Sequence, residues 1–169
     1  NANDIKLLMN RIQTLREAGC DLVVASVHWG REGSHVPTNG QISSSKALID
    51  AGADVVYAHH AHEIQPIYLY KGKPVLFNTG NFVFGTAGRL DPDTGVFQLH
   101  YALTEDGPAL REVSVIPCRT QGAGDYRAYP LTDPKQIRGL FTTLRGTREY
   151  AGLTRLPERF LETGSVRIE

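Results

Sequence analysis

Two short valine-rich runs, residues 21–28 (DLVVASVH) and 54–58 (DVVYA), each stand directly behind a helix-spaced stretch that ends in glycine. In the first stretch Ile5, Leu8, Ile12 and Leu15 recur at i, i+3, i+7 and i+10 before Gly19; in the second, residues 42–51 run up to Gly52. Spacing of this kind makes one apolar helical face, and short runs rich in β-branched residues make strands buried on both faces. The order helix, strand, loop, helix, strand leaves little freedom. The second strand must return through a right-handed crossover and lie parallel to the first, with both carboxyl ends on one edge of the sheet. Ligands of open α/β sheets bind outside that edge.

The rest of the chain adds antiparallel pieces. Residues 64–70 and 74–77 flank Lys71-Gly72-Lys73, which predicts a hairpin. Strands are expected over 96–103 and 110–116, separated by the turn-rich segment 104–108, so the sheet is mixed. Beyond Cys118 the composition turns to Gly, Arg, Thr and Pro, with one helix expected over 134–144 and weak patterning afterwards. The fold class is therefore α/β, with mixed β-sheet layers flanked by helices. Residues 1–118 form the body of the domain, and residues 119–169 are an extension packed on it.

Charge and cysteine content narrow the function. Lys and Arg total 18, Asp and Glu also 18, so no net positive field draws nucleic acid or an anionic membrane surface. Cys20 and Cys118 lie too far apart for a redox or zinc CxxC motif and are too few for a disulfide scaffold. No apolar run reaches the roughly 20 residues that cross a bilayer. Helical spacing begins almost at Asn1, which lacks an initiator methionine, and this predicts a further segment upstream.

Three of the expected strands run into polar clusters: His28-Trp29-Gly30-Arg31-Glu32, His59-His60-Ala61-His62 and Asn78-Thr79-Gly80-Asn81. In extended backbone, residues i and i+2 share a side, so His60 and His62 are expected to face a common point while His59 faces away. His28, from the neighbouring strand, would add a third imidazole, a set suited to Zn, Fe or Mn. The plainer reading is that each histidine caps a strand end by hydrogen bonding. By position, Glu32 could orient water or His28 and act in catalysis. Arg31 could meet an anionic substrate, Trp29 could wall the site or fill core, and Asn81 could donate a hydrogen bond or only shape a turn. His35 and His100 are expected to be bystanders.

The segments VVASVHWGREG and GADVVYAHHAHEIQPIYLYKGKPVLFNTGNFVF resemble, in order and spacing, the HWGxE, GxHPH and SLGNF-like motifs of the CapA family. That family makes poly-gamma-glutamate capsule and lies within the calcineurin-like metallophosphoesterase superfamily. The likeness runs over about residues 4–117, and Ala58, Ala61 and Asn78-Thr79 depart from it without removing a ligand. The resemblance implies half of a four-layer αββα sandwich in which His28, His60 and His62 bind paired divalent transition metals, Mn, Fe or Zn. It implies an anionic polymer, phosphoester or amide substrate, and a place on the outer side of the cell envelope with a membrane synthesis complex. The superfamily's upstream aspartates and Asn-His pair are not within residues 1–20, so catalysis is expected to need an upstream segment of the same protein. A scaffold that keeps the fold without catalysis is the alternative.

Overall fold

The computed structural model describes residues 2–84, 91–122 and 125–168. Helix α1 (Ala2–Glu17) leads into β1 (Val24–Trp29), α2 (Asn39–Asp50) and β2 (Val55–His60). Strands β3 (Ile67–Tyr70) and β4 (Lys73–Leu76) form the expected hairpin. Then come β5 (Asp93–Thr104), β6 (Gly107–Gly122), β7 (Asp125–Pro130), α3 (Pro134–Arg145), β8 (Thr154–Arg155), α4 (Phe160–Thr163) and β9 (Ser165–Arg167).

The first sheet has the order β1-β2-β4-β3-β8. β1 and β2 are parallel, with Val24 opposite Val55 and Trp29 opposite His60, as the crossover argument requires. Side chains alternate across it. Val23, Ala25 and Val27, Val56 and Ala58, Tyr68, Val75 and Phe77 face a core closed by Ile12 of α1 and by Leu48 and Ile49 of α2. Leu48 is fully buried there, and its truncation to alanine costs ~2–5 kcal/mol by transfer and cavity terms together. The opposite face carries Val55, Ile67, Leu69 and Leu76 into a second core with Val113 of β6, Phe141 of α3 and Phe160 of α4. Two β layers with helices packed against them give the α/β class.

The long strands β5 and β6 do not extend the first sheet. They build a second, antiparallel one with β7, to which β9 is added along β6. The first sheet is mixed, and with the second it gives the β-sheet layers expected from the sequence. Alternating hydrophobicity sets which face of a strand is buried but leaves its neighbour open. Residues 119–169 supply β8 to the first sheet, β9 to the second and Leu140, Leu144 and Phe160 to the core between them.

Local chemistry fixes the segments that matter for function. Helix α2 starts three residues earlier than its apolar spacing suggests, because Thr38 and Gln41 form a reciprocal capping box. Asp54, buried at the start of β2, accepts from Val23 N–H at 2.8 Å and pairs with Arg16 of α1 and with Lys73. That carboxylate ties α1, β1, β2 and β4 together at the end of the sheet opposite the histidines.

Candidate metal centre

The parallel register sets His28 beside His59 and Trp29 beside His60. In unbroken strand geometry His60 would share Trp29's side, the helix-covered one, where Trp29 packs against the first core. It does not, because His60 has φ of 103°. Its ring instead meets that of His28: His60 Nδ1 and His28 Nε2 are 3.0 Å apart, and the ring centres are 4.8 Å apart. Positive φ in a residue with a Cβ costs ~1–3 kcal/mol and persists only where the surroundings over-determine it.

The chain then leaves the strand. Ala61 is buried and its carbonyl accepts from Gly33 N–H at 2.9 Å, after which His62 also takes positive φ, 60°. The ring of His62 lies 6.5 Å from that of His60 and packs on Phe84 at 4.6 Å. Its Nδ1 is 2.8 Å from Asn81 Oδ1, while Asn81 Nδ2 reaches the His62 carbonyl at 3.3 Å. A carbonyl only accepts, so Nδ2 is the donor there and Oδ1 faces the ring. Nδ1 must then carry the proton, which leaves the Nε2 lone pair of His62 free. Orientation of a ligand histidine through its other nitrogen is the usual arrangement in metal sites.

Asn81 reaches this place from β4 through Asn78-Thr79-Gly80. An isolated bridge pairs Thr79 with Ile64, and Gly80 adopts φ of 72° where a Cβ would come within 2.6 Å of the Asp93 carbonyl oxygen. Only glycine fits there.

These residues line an open cleft of about 350 Å³ with His28, Tyr57, His59, His60, His62 and Asn81 on its walls. His59 therefore does not face away, as strict alternation predicted; its register places it beside His28, and its ring stands edge-on to Tyr57 at 4.3 Å. Burial, and then the neighbouring His28, lower its pKa, so His59 favours the neutral form. No carboxylate is among the described residues that line the cleft. The cleft carries four imidazoles, with the Asn81 amide taken up by His62, and the imidazoles of His28, His60 and His62 suit a divalent transition metal as a partial coordination shell.

The other sequence candidates sit elsewhere. Trp29 is half-buried and lines a separate cleft with Ile5, Thr38 and Gln41, where its Nε1 lacks a hydrogen-bond partner. Arg31 and Glu32 are exposed and make no hydrogen bond or ion pair with described residues. His100 is exposed, 3.5 Å from the Ser114 hydroxyl. His35, expected to be idle, is joined with Glu63 and Asp91 in a group whose ligand atoms lie within 4.8 Å of one another. Glu63, between His62 and Ile64, is the buried member of that group.

A parallel α/β sheet edge thus brings histidines from two neighbouring strand ends into one cleft. The model of the bacterial capsule synthesis protein PGA_cap family matches residues 1–86, half of the chain, and the chain belongs to that family. It is 35% identical over 106 residues to the capsule biosynthesis protein CapA of Bacillus anthracis, covering 63% of this chain and 25% of that protein. To the PGA biosynthesis protein CapA of Bacillus subtilis it is 36% identical over 96 residues, 57% of this chain and 25% of the relative. To a Mycobacterium tuberculosis protein named "Probable polyglutamine synthesis accessory protein" it is 38% identical over 147 residues, 84% of this chain and 38% of that one. The chain thus spans between a quarter and two-fifths of the length of these three relatives.

Proposed function

We propose that this chain is the histidine-bearing part of a metal-dependent hydrolase that serves poly-gamma-glutamate capsule synthesis or export at the cell envelope. The observation that carries the reading is the pair His28–His60. Two imidazole nitrogens from adjacent parallel strand ends lie 3.0 Å apart at the price of an unfavourable backbone conformation at His60. Strand capping alone would not need that strain.

In this reading His28 and His60 hold one divalent ion and His62, set further off at 6.5 Å between ring centres, holds a second. Paired ions ~3.5–4 Å apart lower the pKa of water and stabilise both oxygens of a displacement. Asn81 keeps Nε2 of His62 aimed into the cleft, and Phe84 limits water on one side of that ring. His59, held toward its neutral form, adds no positive charge against the ions. The carboxylates that such a centre needs come, in this proposal, from a segment preceding these residues. In this proposal Arg31, exposed on the loop after β1, meets an anionic polymer, phosphoester or amide substrate, and Glu32 beside it orients a water.

The absence of a carboxylate among the described residues lining the cleft favours a second reading, a non-catalytic scaffold of an envelope synthesis complex. Assay of the full-length protein with Mn²⁺ against a phosphodiester and a γ-glutamyl amide separates the two. Turnover abolished by His28→Ala supports the enzyme; metal-bound protein with no turnover of either substrate supports the scaffold.

A further inference from the structure

A second group of side chains shares no residue with the histidine cleft. In each of its three members one polar atom is already used on the backbone. His35 Nδ1 faces the Ile64 carbonyl at 2.9 Å; the carbonyl accepts, so Nδ1 carries a proton, and in the neutral ring Nε2 keeps its lone pair. Glu63 Oε1 accepts from Asp91 N–H at 3.2 Å, and Asp91 Oδ1 accepts from Asp93 N–H at 2.9 Å. The atoms left over are His35 Nε2, Glu63 Oε2 and Asp91 Oδ2. Both carboxylate oxygens stand 3.5 Å from Nε2, and one ligand atom from each of the three residues lies within 4.8 Å of the other two.

With the ring neutral, three acceptors meet and no donor lies among them. Glu63 sharpens the point: its side chain is 8% exposed, and Oε2 is buried without a hydrogen-bond partner among the described residues. A buried anionic oxygen left so costs several kcal/mol unless a cation answers it, ~1–3 kcal/mol being the figure even for neutral groups. The loop that brings His35 is also firmly held. Gln65, fully buried, donates to the carbonyls of Ser34 at 2.7 Å and Val36 at 3.5 Å on either side of it, and is itself bonded by Gln41 at 3.0 Å.

We propose that His35, Glu63 and Asp91 bind a divalent first-row transition metal of the Zn²⁺ class through Nε2, Oε2 and Oδ2. One imidazole with two carboxylates selects such an ion over Mg²⁺ or Ca²⁺, which prefer all-oxygen sites. The bond from Nδ1 to a backbone carbonyl is the outer-shell support expected of a ligand histidine. His35 and Asp91, with side chains 43% and 31% exposed, leave one flank open for entry and for water to complete the coordination. The ion cross-links the loop after β1, the connection between β2 and β3, and the entry to β5.

The test isolates this group from the histidine cleft by using the His28→Ala/His60→Ala protein as parent. Zn²⁺ titration by calorimetry and metal content after dialysis are expected to give one equivalent on that parent, with a rise in melting temperature. Glu63→Gln should lose both the equivalent and the rise. Asp91→Asn, which keeps the bond to Asp93 N–H, provides the reading if the buried substitution prevents folding, and should weaken Zn²⁺ binding at least ~10-fold. Unchanged stoichiometry and affinity in both carboxylate variants would overturn the assignment. So would a parent that binds no Zn²⁺ and shows a doubly protonated His35 ring by NMR at neutral pH, since the cation would then be a proton.

Discussion

His62 and Asn81 hold each other in two directions: the ring donates from Nδ1 to Oδ1 at 2.8 Å, and Nδ2 donates to the His62 carbonyl at 3.3 Å. The pair joins the turn after β2 to the turn after β4 and determines which nitrogen of His62 is free to bind.

Asn81→Asp keeps an acceptor beside Nδ1 and should bind metal about as well as the natural protein. Asn81→Ala removes it, and loss of such outer-shell partners typically weakens metal affinity ~10–100-fold. Competition with a chromophoric chelator measures both; equal affinity in the alanine variant would remove Asn81 from the site.

At position 60 the ordinary order of stability is reversed. Glycine in a strand is usually less stable than alanine, but φ of 103° favours glycine. His60→Gly is expected to be more stable than His60→Ala by ~1 kcal/mol or more, since strain of this kind is worth ~1–3 kcal/mol. Urea midpoints of the two variants decide it, and an alanine variant at least as stable would show the strain to be absent.

Gly80→Ala would place a Cβ 2.6 Å from the Asp93 carbonyl oxygen and 3.2 Å from Ile64 Cγ2, in backbone with φ of 72°. Backbone cannot yield as a flexible side chain can. A loss above ~2 kcal/mol in denaturant unfolding is expected, together with impaired metal binding through the neighbouring Asn81.

Alkaline stability depends on Tyr68. Its hydroxyl donates to the Arg148 carbonyl at 2.6 Å, and burial, then Tyr150, push its pKa from 10.0 to about 12. The folded state therefore retains a proton that the unfolded state releases. Stability is full below pH 10 and falls as pH rises from there through about 12. Burial, followed by Asp54, raises Tyr101 as well, adding a decline in the same direction. Melting temperatures between pH 8 and 11 should fall less steeply for Tyr68→Phe; identical slopes would exclude this origin.

The helix-strand order made the site's frame legible. Periods of 3.6 and 2 located α1, β1, α2 and β2, and the crossover rule placed His28 and His60 on one edge before any coordinates were known. What failed was alternation past the strand end. His59 and His60 both line the cleft, although extended backbone sends them to opposite faces, because φ at His60 turns positive, and no residue type there announces it. The pairing of β6 with β9, from the far end of the chain, was not legible because local pattern does not encode such a contact. Short elements such as β8 carry too few residues to show a period. The grouping of His35 with Glu63 and Asp91 was not legible for a similar reason: the three are distant in sequence and meet only in the folded chain.

Crystals of the full-length protein grown with Mn²⁺ and measured at the manganese absorption edge give the most direct reading of the cleft. The account requires an anomalous peak between the His28 and His60 rings, with their 3.0 Å nitrogen pair opened around it, and a second beside Nε2 of His62. Rings still hydrogen-bonded to each other in a cleft without anomalous density would contradict it.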